Sequence, residues 1–124
     1  MSSIVVVDDD SDIRGLLEFK LSAAGHTVTA EADGEAGLAA ILDVHPDVVV
    51  LDWMMPRMSG IEVCLELRKD PSMAEIPVLF LTAKAQESDV QRGFAAGGND
   101  YVIKPFSPRE LSSRIDALLA RTPR

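Results

Sequence analysis

Five polar side chains of this 124-residue chain are of types that do chemistry together, and each stands at the end of a short apolar run. They are Asp8 and Asp9 after residues 4–7, Asp52 after residues 48–51, Thr82 after residues 77–81, and Lys104 after residues 101–103. Three carboxylates in one site repel one another, so either their pKa values rise or a divalent cation binds them. Because ligands that are all oxygen favour Mg²⁺ or Mn²⁺ over softer metals, the three acids predict a magnesium site.

A magnesium site with open water positions suits phosphoryl groups, since the cation neutralises charge on the transferring oxygens. Lys104 adds a second positive centre, and the Thr82 hydroxyl supplies a hydrogen bond to a phosphoryl oxygen. A carboxylate can attack phosphorus to give an aspartyl phosphate, and Asp52 is the best placed to do so. Two alternatives stay open: Asp52 only ends its strand and caps the next turn, and Lys104 only neutralises a structural cluster of acids.

Apolar runs alternate with amphipathic segments along the whole chain. The runs predict strands over residues 4–7, 27–30, 48–51, 77–81 and 101–103. The capping residues and the apolar spacing predict helices over residues 11–24, 34–44, 61–69, 87–96 and from 108 onward. Ser11 or Asp10 is expected to cap the first helix and Ser107 the last. The third predicted helix has Ile61, Cys64, Leu65 and Arg68 on one side.

Five repeats of strand and helix predict a doubly wound α/β fold. We expect a five-stranded parallel sheet in the order 2-1-3-4-5, a flavodoxin-like architecture with helices on both faces. The carboxyl ends of strands one, three, four and five then meet at one crevice, which brings the polar side chains together. Residues 1–124 are expected to form one domain.

The composition narrows the class of protein. The net charge of -8, from 12 basic and 20 acidic residues, disfavours direct binding of nucleic acid and favours cations or basic partners. No apolar run approaches the roughly 20 residues of a membrane span and the N-terminus has no leader pattern, so we expect no membrane contact and a cytoplasmic location. Cys64, the single cysteine, is expected to be a buried thiol.

The motifs, taken together, resemble the signature of the receiver domain of bacterial two-component response regulators. They are Asp8-Asp9, Asp52 followed by Met55-Pro56 and Gly60, Thr82-Ala83, and Tyr101 with Lys104-Pro105-Phe106. They occur in the family's order, cover nearly the whole chain and are separated by matching secondary structure. The resemblance is therefore highly specific.

This resemblance implies a signalling switch that catalyses only its own phosphorylation and dephosphorylation. Asp52 would accept a phosphoryl group from the phosphohistidine of a histidine kinase or a histidine phosphotransfer protein. Asp8, Asp9 and Asp52 would hold Mg²⁺, with the backbone carbonyl of Met54 as a further ligand.

The resemblance also implies how the signal leaves the site. Thr82 and Lys104 would contact the phosphoryl group, and Tyr101 would turn inward when Thr82 is drawn toward that group. The output surface would then lie on the fourth strand, the fourth helix and the fifth strand. Without the resemblance, Tyr101 reads as an ordinary aromatic at a sheet edge. Trp53, next to Asp52, is expected to be a partly exposed packing residue.

Two forms of output are compatible with these motifs. We favour a stand-alone receiver that acts through protein contacts as a monomer or weak dimer. The alternative is the receiver of a winged-helix DNA-binding regulator, whose receivers dimerise through charge pairs on the last strand and the fourth and fifth helices. Asp100, Glu110 and Arg114 match that pattern, whereas Val90 and Asp116 stand where basic residues are expected.

Two other classes of protein share parts of this pattern. A Mg²⁺-dependent phosphohydrolase of the haloacid dehalogenase type needs a second aspartate two residues after its nucleophile, where this chain has Met54. A flavin-binding module shares the architecture, but three acids at residues 8–10 would repel the flavin phosphate.

Overall fold

The computed structural model describes residues 2–83 and 87–121, which form strands and helices in strict alternation. The strands are β1 (Ser3–Val7), β2 (Thr27–Glu31), β3 (Val48–Asp52), β4 (Val78–Thr82) and β5 (Asp100–Ile103). The helices are α1 (Ser11–Ala23), α2 (Gly34–Val44), α3 (Gly60–Lys69), α4 (Glu87–Ala95) and α5 (Pro108–Arg121). Every element lies within a few residues of its predicted position.

The strands form one parallel sheet in the order β2-β1-β3-β4-β5, which confirms the predicted doubly wound fold. Alternate side chains of the strands point to opposite faces and enter two separate cores. The core under α2 and α3 contains Val5, Val7, Val49, Leu51, Val78 and Phe80. The core under α1 and α5 contains Ile4, Val6, Val48, Val50, Leu79, Leu81 and Val102. Continuous apolar runs such as residues 48–51 are therefore buried on both faces.

Side-chain caps fix the start of several helices. Asp10, rather than Ser11, caps α1, because its carboxylate accepts hydrogen bonds from the backbone N–H groups of Asp12 and Ile13. The Ser107 hydroxyl accepts from the N–H of Glu110 at 3.0 Å, as predicted. The third helix begins one residue earlier than predicted, because Ser59 and Glu62 form a capping box around its first turn.

Of the four residues predicted to share one side of α3, only Cys64 is among the buried residues of the helix, which are Gly60, Val63, Cys64 and Leu67. Cys64 is fully buried, as predicted, and its thiol donates to the carbonyl of Ala96 at 3.3 Å. Leu65 is exposed, and the Arg68 guanidinium donates to the carbonyl of Gly97 instead of facing solvent or the core. In the described part of the chain, no helix has the length and apolar character needed to cross a membrane.

Candidate functional site

The strand register brings the predicted polar residues to one edge of the sheet. Val7 pairs with Leu51, Asp52 with Leu81, and Thr82 with Ile103. Each chemically important residue therefore stands at the end of a strand or one or two positions beyond it, and the neighbouring strands end at the same level. The crevice at the carboxyl ends of β1, β3, β4 and β5 is the place where doubly wound sheets bind ligands.

Three carboxylates meet in this crevice. Asp8 is fully buried, Asp52 is 6% exposed and Asp9 is exposed. One carboxylate oxygen from each lies within 4.8 Å of the other two. The structure thus brings together the three acids that the sequence selected, and it leaves Asp9 open to solvent.

Lys104 contacts the two buried acids from the end of β5. Its Nζ atom lies 3.0 Å from Asp8 Oδ2 and 3.3 Å from Asp52 Oδ1. Burial opposes the charge of this ammonium group, but its contacts with Asp8 and Asp52 outweigh burial and raise the pKa of Lys104. Lys104 therefore stays charged at neutral pH and supplies the positive centre predicted from the sequence.

The pKa of Asp52 is strongly raised. Burial raises its pKa, the nearby Asp8 carboxylate adds to the effect, and contact with Lys104 opposes it, with the result that the pKa of Asp52 is about 7. Because the ionised form of Asp52 is disfavoured here, additional positive charge in the crevice would stabilise it. Perturbed acids in a cleft are typical of functional sites, so the alternative in which Asp52 only ends its strand is disfavoured.

The Asp8 side chain is fixed by contacts that the sequence did not reveal. Its Oδ1 atom accepts from the N–H of Asp10 at 2.9 Å, and its backbone carbonyl accepts from Arg14 Nη1 at 2.8 Å. Arg14 lies on α1 and has no local sequence signal for this role, because the contact depends on how the helix returns over the strand end. Asp10, in contrast, was identified as a possible cap.

The donor set fits a small divalent cation. Asp8 Oδ2 is buried and, among the described residues, receives no hydrogen bond of ordinary geometry, although Lys104 Nζ lies 3.0 Å away. A carboxylate oxygen of this kind has capacity for a further positive partner. Together with Asp9 and Asp52 it offers the hard oxygen ligands that Mg²⁺ and Mn²⁺ prefer.

Thr82 and Tyr101 border the same region. Thr82 is buried at the end of β4, and its carbonyl accepts from the N–H of Lys104 at 2.7 Å. The Tyr101 ring is half-buried and packs edge-on against Phe94, with centroids 6.1 Å apart. A cavity of about 10 Å³ is lined by both Thr82 and Tyr101. This volume holds about one water molecule, so an inward turn of the ring requires its neighbours to move.

Two residues beside Asp52 differ in exposure. Met54 is 62% exposed at the start of the loop that follows β3, and the metal-binding role of its backbone carbonyl stays a prediction. Trp53 is only 5% exposed, so the expected partial exposure is wrong. Its ring packs against Phe80 with centroids 5.3 Å apart, on the sheet face that α3 covers.

Comparison with known proteins decides the family. Residues 4–116 match the family described as the response regulator receiver domain, which covers most of the chain. The chain belongs to this family. Receiver domains are signalling proteins rather than enzymes of metabolism, and they hold Mg²⁺ in an acidic pocket such as the one formed by Asp8, Asp9 and Asp52.

The receiver is similar to several transcriptional regulators. It is 49% identical over 119 residues to the probable transcriptional regulator ycf27 of Cyanophora paradoxa, covering 96% of the receiver and 48% of that protein. It is 41% identical over 120 residues to the phosphate regulon transcriptional regulatory protein PhoB of Pseudomonas aeruginosa, covering 97% of the receiver and 52% of that protein. The receiver thus spans about half the length of these curated relatives.

A solved structure of similar length shares the fold of the receiver. The chemotaxis protein CheY4 of Vibrio cholerae superimposes with a TM-score of 0.91 at 31% identity, covering 95% of the receiver and 98% of that chain. The receiver fold therefore occurs both in a chain of this size and within longer regulators.

Proposed function

We propose that this receiver is a phosphorylation-dependent switch that accepts a phosphoryl group on Asp52. The donor is the phosphohistidine of a histidine kinase or a histidine phosphotransfer protein. One observation carries the proposal: the Asp52 carboxylate lies within 4.8 Å of ligand atoms of Asp8 and Asp9 and 3.3 Å from the Lys104 ammonium, which also contacts Asp8. A nucleophile, a set of metal ligands and a fixed positive charge are thereby combined in one crevice.

Mg²⁺ would be held by Asp8, Asp9, Asp52 and the backbone carbonyl of Met54, with Mn²⁺ as a substitute. When bound, the cation supplies positive charge that neutralises the phosphoryl oxygens and favours the ionised form of Asp52. Asp8 is held in place for this role by Asp10 and Arg14.

For phosphoryl transfer, the protein mainly has to position the reacting groups and to stabilise the negative charge on the phosphoryl oxygens. A carboxylate oxygen of Asp52 attacks phosphorus, the new P–O bond forms, and the P–N bond of the phosphohistidine breaks with its electron pair returning to the imidazole. Lys104 is close enough to Asp52 to contact the incoming phosphoryl oxygens. Hydrolysis later releases inorganic phosphate and restores the carboxylate.

Phosphorylation adds nearly two negative charges and new acceptor oxygens. Thr82 and Lys104 gain contacts with these oxygens only in the modified state, which favours one of two arrangements of β4, α4 and β5. Tyr101 follows Thr82 inward in that arrangement. Because the cavity between them holds only about one water, this movement shifts α4 and exposes a changed output surface.

The receiver acts through protein contacts, and two output architectures are proposed for it. In the first, the receiver stands alone and binds a downstream protein as a monomer or weak dimer. Arg114 supports weak association: its guanidinium contacts Asp100 at 3.0 Å and Glu110 at 3.5 Å within the same chain, so these charges already have partners.

In the second architecture, the receiver is the regulatory part of a DNA-binding transcriptional regulator. This candidate is favoured by the relatives, which are transcriptional regulators of about twice this length. Detecting the product of the native gene with an antibody against the receiver distinguishes the two, because a regulator of this type migrates at about twice the mass. In both cases we propose that the receiver makes no direct contact with nucleic acid and works in the cytoplasm, as one domain.

Incorporation of one phosphoryl group per chain in the presence of Mg²⁺ tests the proposed function. Replacing Asp52 by Asn must abolish it, while a phosphohydrolase would instead turn over phosphate esters continuously. Residue 54 is Met rather than the second aspartate that such a phosphohydrolase needs, which argues against that activity.

A further inference from the structure

The loop between β3 and α3, residues 53–59, lies directly on the first turn of α2. Gly34, the first residue of α2, is buried there. A Cβ atom on Gly34 would overlap the backbone carbonyl oxygen of Met58 and lie 2.7 Å from the Met58 carbonyl carbon. The two backbones therefore touch at a position where only glycine fits.

A second contact joins the same two segments. Asp33 caps α2 through Oδ1, which accepts from the N–H of Ala36 at 2.8 Å, and its Oδ2 lies 3.8 Å from Arg57 Nε. Arg57 has a φ of 70°, in the left-handed region that residues other than glycine seldom adopt. The residue that caps α2 thus also attracts Arg57, whose backbone conformation is unusual. Because the Arg57 side chain is largely exposed, the backbone contact at Gly34 is the stronger constraint.

The far end of the loop returns to the functional site. The N–H of Gly60 donates to the carbonyl of Trp53 at 3.1 Å, and a Cβ atom on Gly60 would overlap the carbonyl oxygen of Asp52. The loop is therefore closed beside Asp52 and pressed against α2 at Met58. Met54 lies between these two fixed points, so the place of its backbone carbonyl depends on both.

We infer that Gly34 is a positioning residue for the metal site, because the packing of α2 on Met58 fixes the loop that presents the Met54 carbonyl to Mg²⁺. The inference rests on the proposed function, since it concerns the same site. A side chain at residue 34 displaces Met58, and the displacement passes along the short loop to Met54. Asp8, which Arg14 and Asp10 hold from another part of the chain, stays in place.

The test compares Gly34→Ala with Gly15→Ala. Gly15 is also helical, and a Cβ atom there meets nothing within 4 Å, so this control makes the same chemical change in open space. Mn²⁺ binding is measured by electron paramagnetic resonance, and Mg²⁺ binding by competition. Mutation of a residue that positions metal ligands without binding the metal typically weakens metal binding by about 10-fold or more. We expect this loss for Gly34→Ala and not for Gly15→Ala. Urea unfolding verifies that each variant is folded, and a merely structural role changes stability but not the metal affinity.

A second pair of variants decides the question if Gly34→Ala does not fold. Asp33→Asn keeps an oxygen for the cap but removes the charge that faces Arg57, while Glu35→Gln removes a charge from the same turn and leaves Asp33 and Arg57 unchanged. Weaker metal binding by Asp33→Asn than by Glu35→Gln supports the inference. Parental metal binding by a folded Gly34→Ala overturns the inference, and so does equal binding by the second pair if Gly34→Ala does not fold; either result leaves the proposed function intact. A parent protein that binds no metal overturns both.

Discussion

The Nζ atom of Lys104 lies 3.3 Å from Oδ1 of Asp52, although Asp52 ends β3 and Lys104 follows β5, and β4 separates these two strands in the sheet. The contact spans the crevice and reaches the carboxylate that we propose as phosphoacceptor. The same ammonium group lies 3.0 Å from Asp8, so one positive charge serves two buried acids.

Replacing Lys104 by Met is expected to destabilise the protein at neutral pH. The change leaves two buried carboxylates without their cation, and breaking a buried pair in this way costs about 3 kcal/mol. The loss becomes smaller as the pH falls below about 7, because Asp52, whose pKa is about 7, then takes up a proton. Urea unfolding of Lys104→Met at pH 7 and pH 4.5 measures both effects. Lys69→Met is the control, since Lys69 forms an exposed pair with Glu66 and is expected to contribute less than about 1 kcal/mol.

Replacing Asp52 by Asn is expected to stabilise the protein at pH 8. The pKa of Asp52 is about 7 in the folded chain, well above the ordinary value of 3.8. Between these values the folded chain holds a proton that the unfolded chain releases, so the parent loses stability as the pH rises from about 4 to about 7. Asn carries no charge and removes this loss, which is on the order of 4 kcal/mol above pH 7.

The pH dependence of unfolding tests whether Asp52→Asn raises the stability, as expected. The difference between Asp52→Asn and the parent grows from pH 4 to pH 8, and Mg²⁺ reduces it at pH 8 by stabilising the parent. Asp43→Asn, an exposed change on α2, shows neither effect. An Asn variant that is less stable than the parent at pH 8 contradicts the environment described for Asp52.

The fluorescence of Trp53 is expected to report on the site. Trp53 is the single tryptophan, follows Asp52 directly and packs against Phe80, so it is buried next to the metal ligands. Mg²⁺, or a phosphoryl analogue added with Mg²⁺, therefore changes its emission, and Asp52→Asn weakens the response. No change with either addition counts against this site.

Much of the fold followed from local patterns. Short runs of three to five residues alternated with amphipathic segments, and parallel strands connected in this way can form a sheet in only a few arrangements. The meeting of Asp8, Asp52 and Lys104 followed in turn, because the carboxyl ends of adjacent parallel strands lie side by side. Ser107 and Asp10 were recognisable as caps because capping is a local interaction.

The features that the sequence predicted wrongly, or did not predict, depend on contacts between segments that are far apart in the chain. Trp53 is buried because Phe80 and the helices beyond it cover its ring, and nothing next to Trp53 in the chain indicates that cover. Arg68 contacts the carbonyl of Gly97, and Gly34 contacts Met58, only after the helices have packed. Such contacts depend on where the helices and strands lie relative to one another. The spacing of residues within one helix or strand carries no information about that placement.

Intact mass spectrometry after incubation with acetyl phosphate and Mg²⁺ tests the central claim most directly, because it counts phosphoryl groups on the chain. We expect the parent to gain the mass of one phosphoryl group, to need Mg²⁺ for this gain, and to lose it on incubation with hydroxylamine, which cleaves acyl phosphates. Asp52→Asn gains nothing, although Asp43→Asn is labelled like the parent. Equal labelling of Asp52→Asn and the parent, or no labelling of a folded, metal-loaded parent, contradicts the assignment of Asp52 as phosphoacceptor.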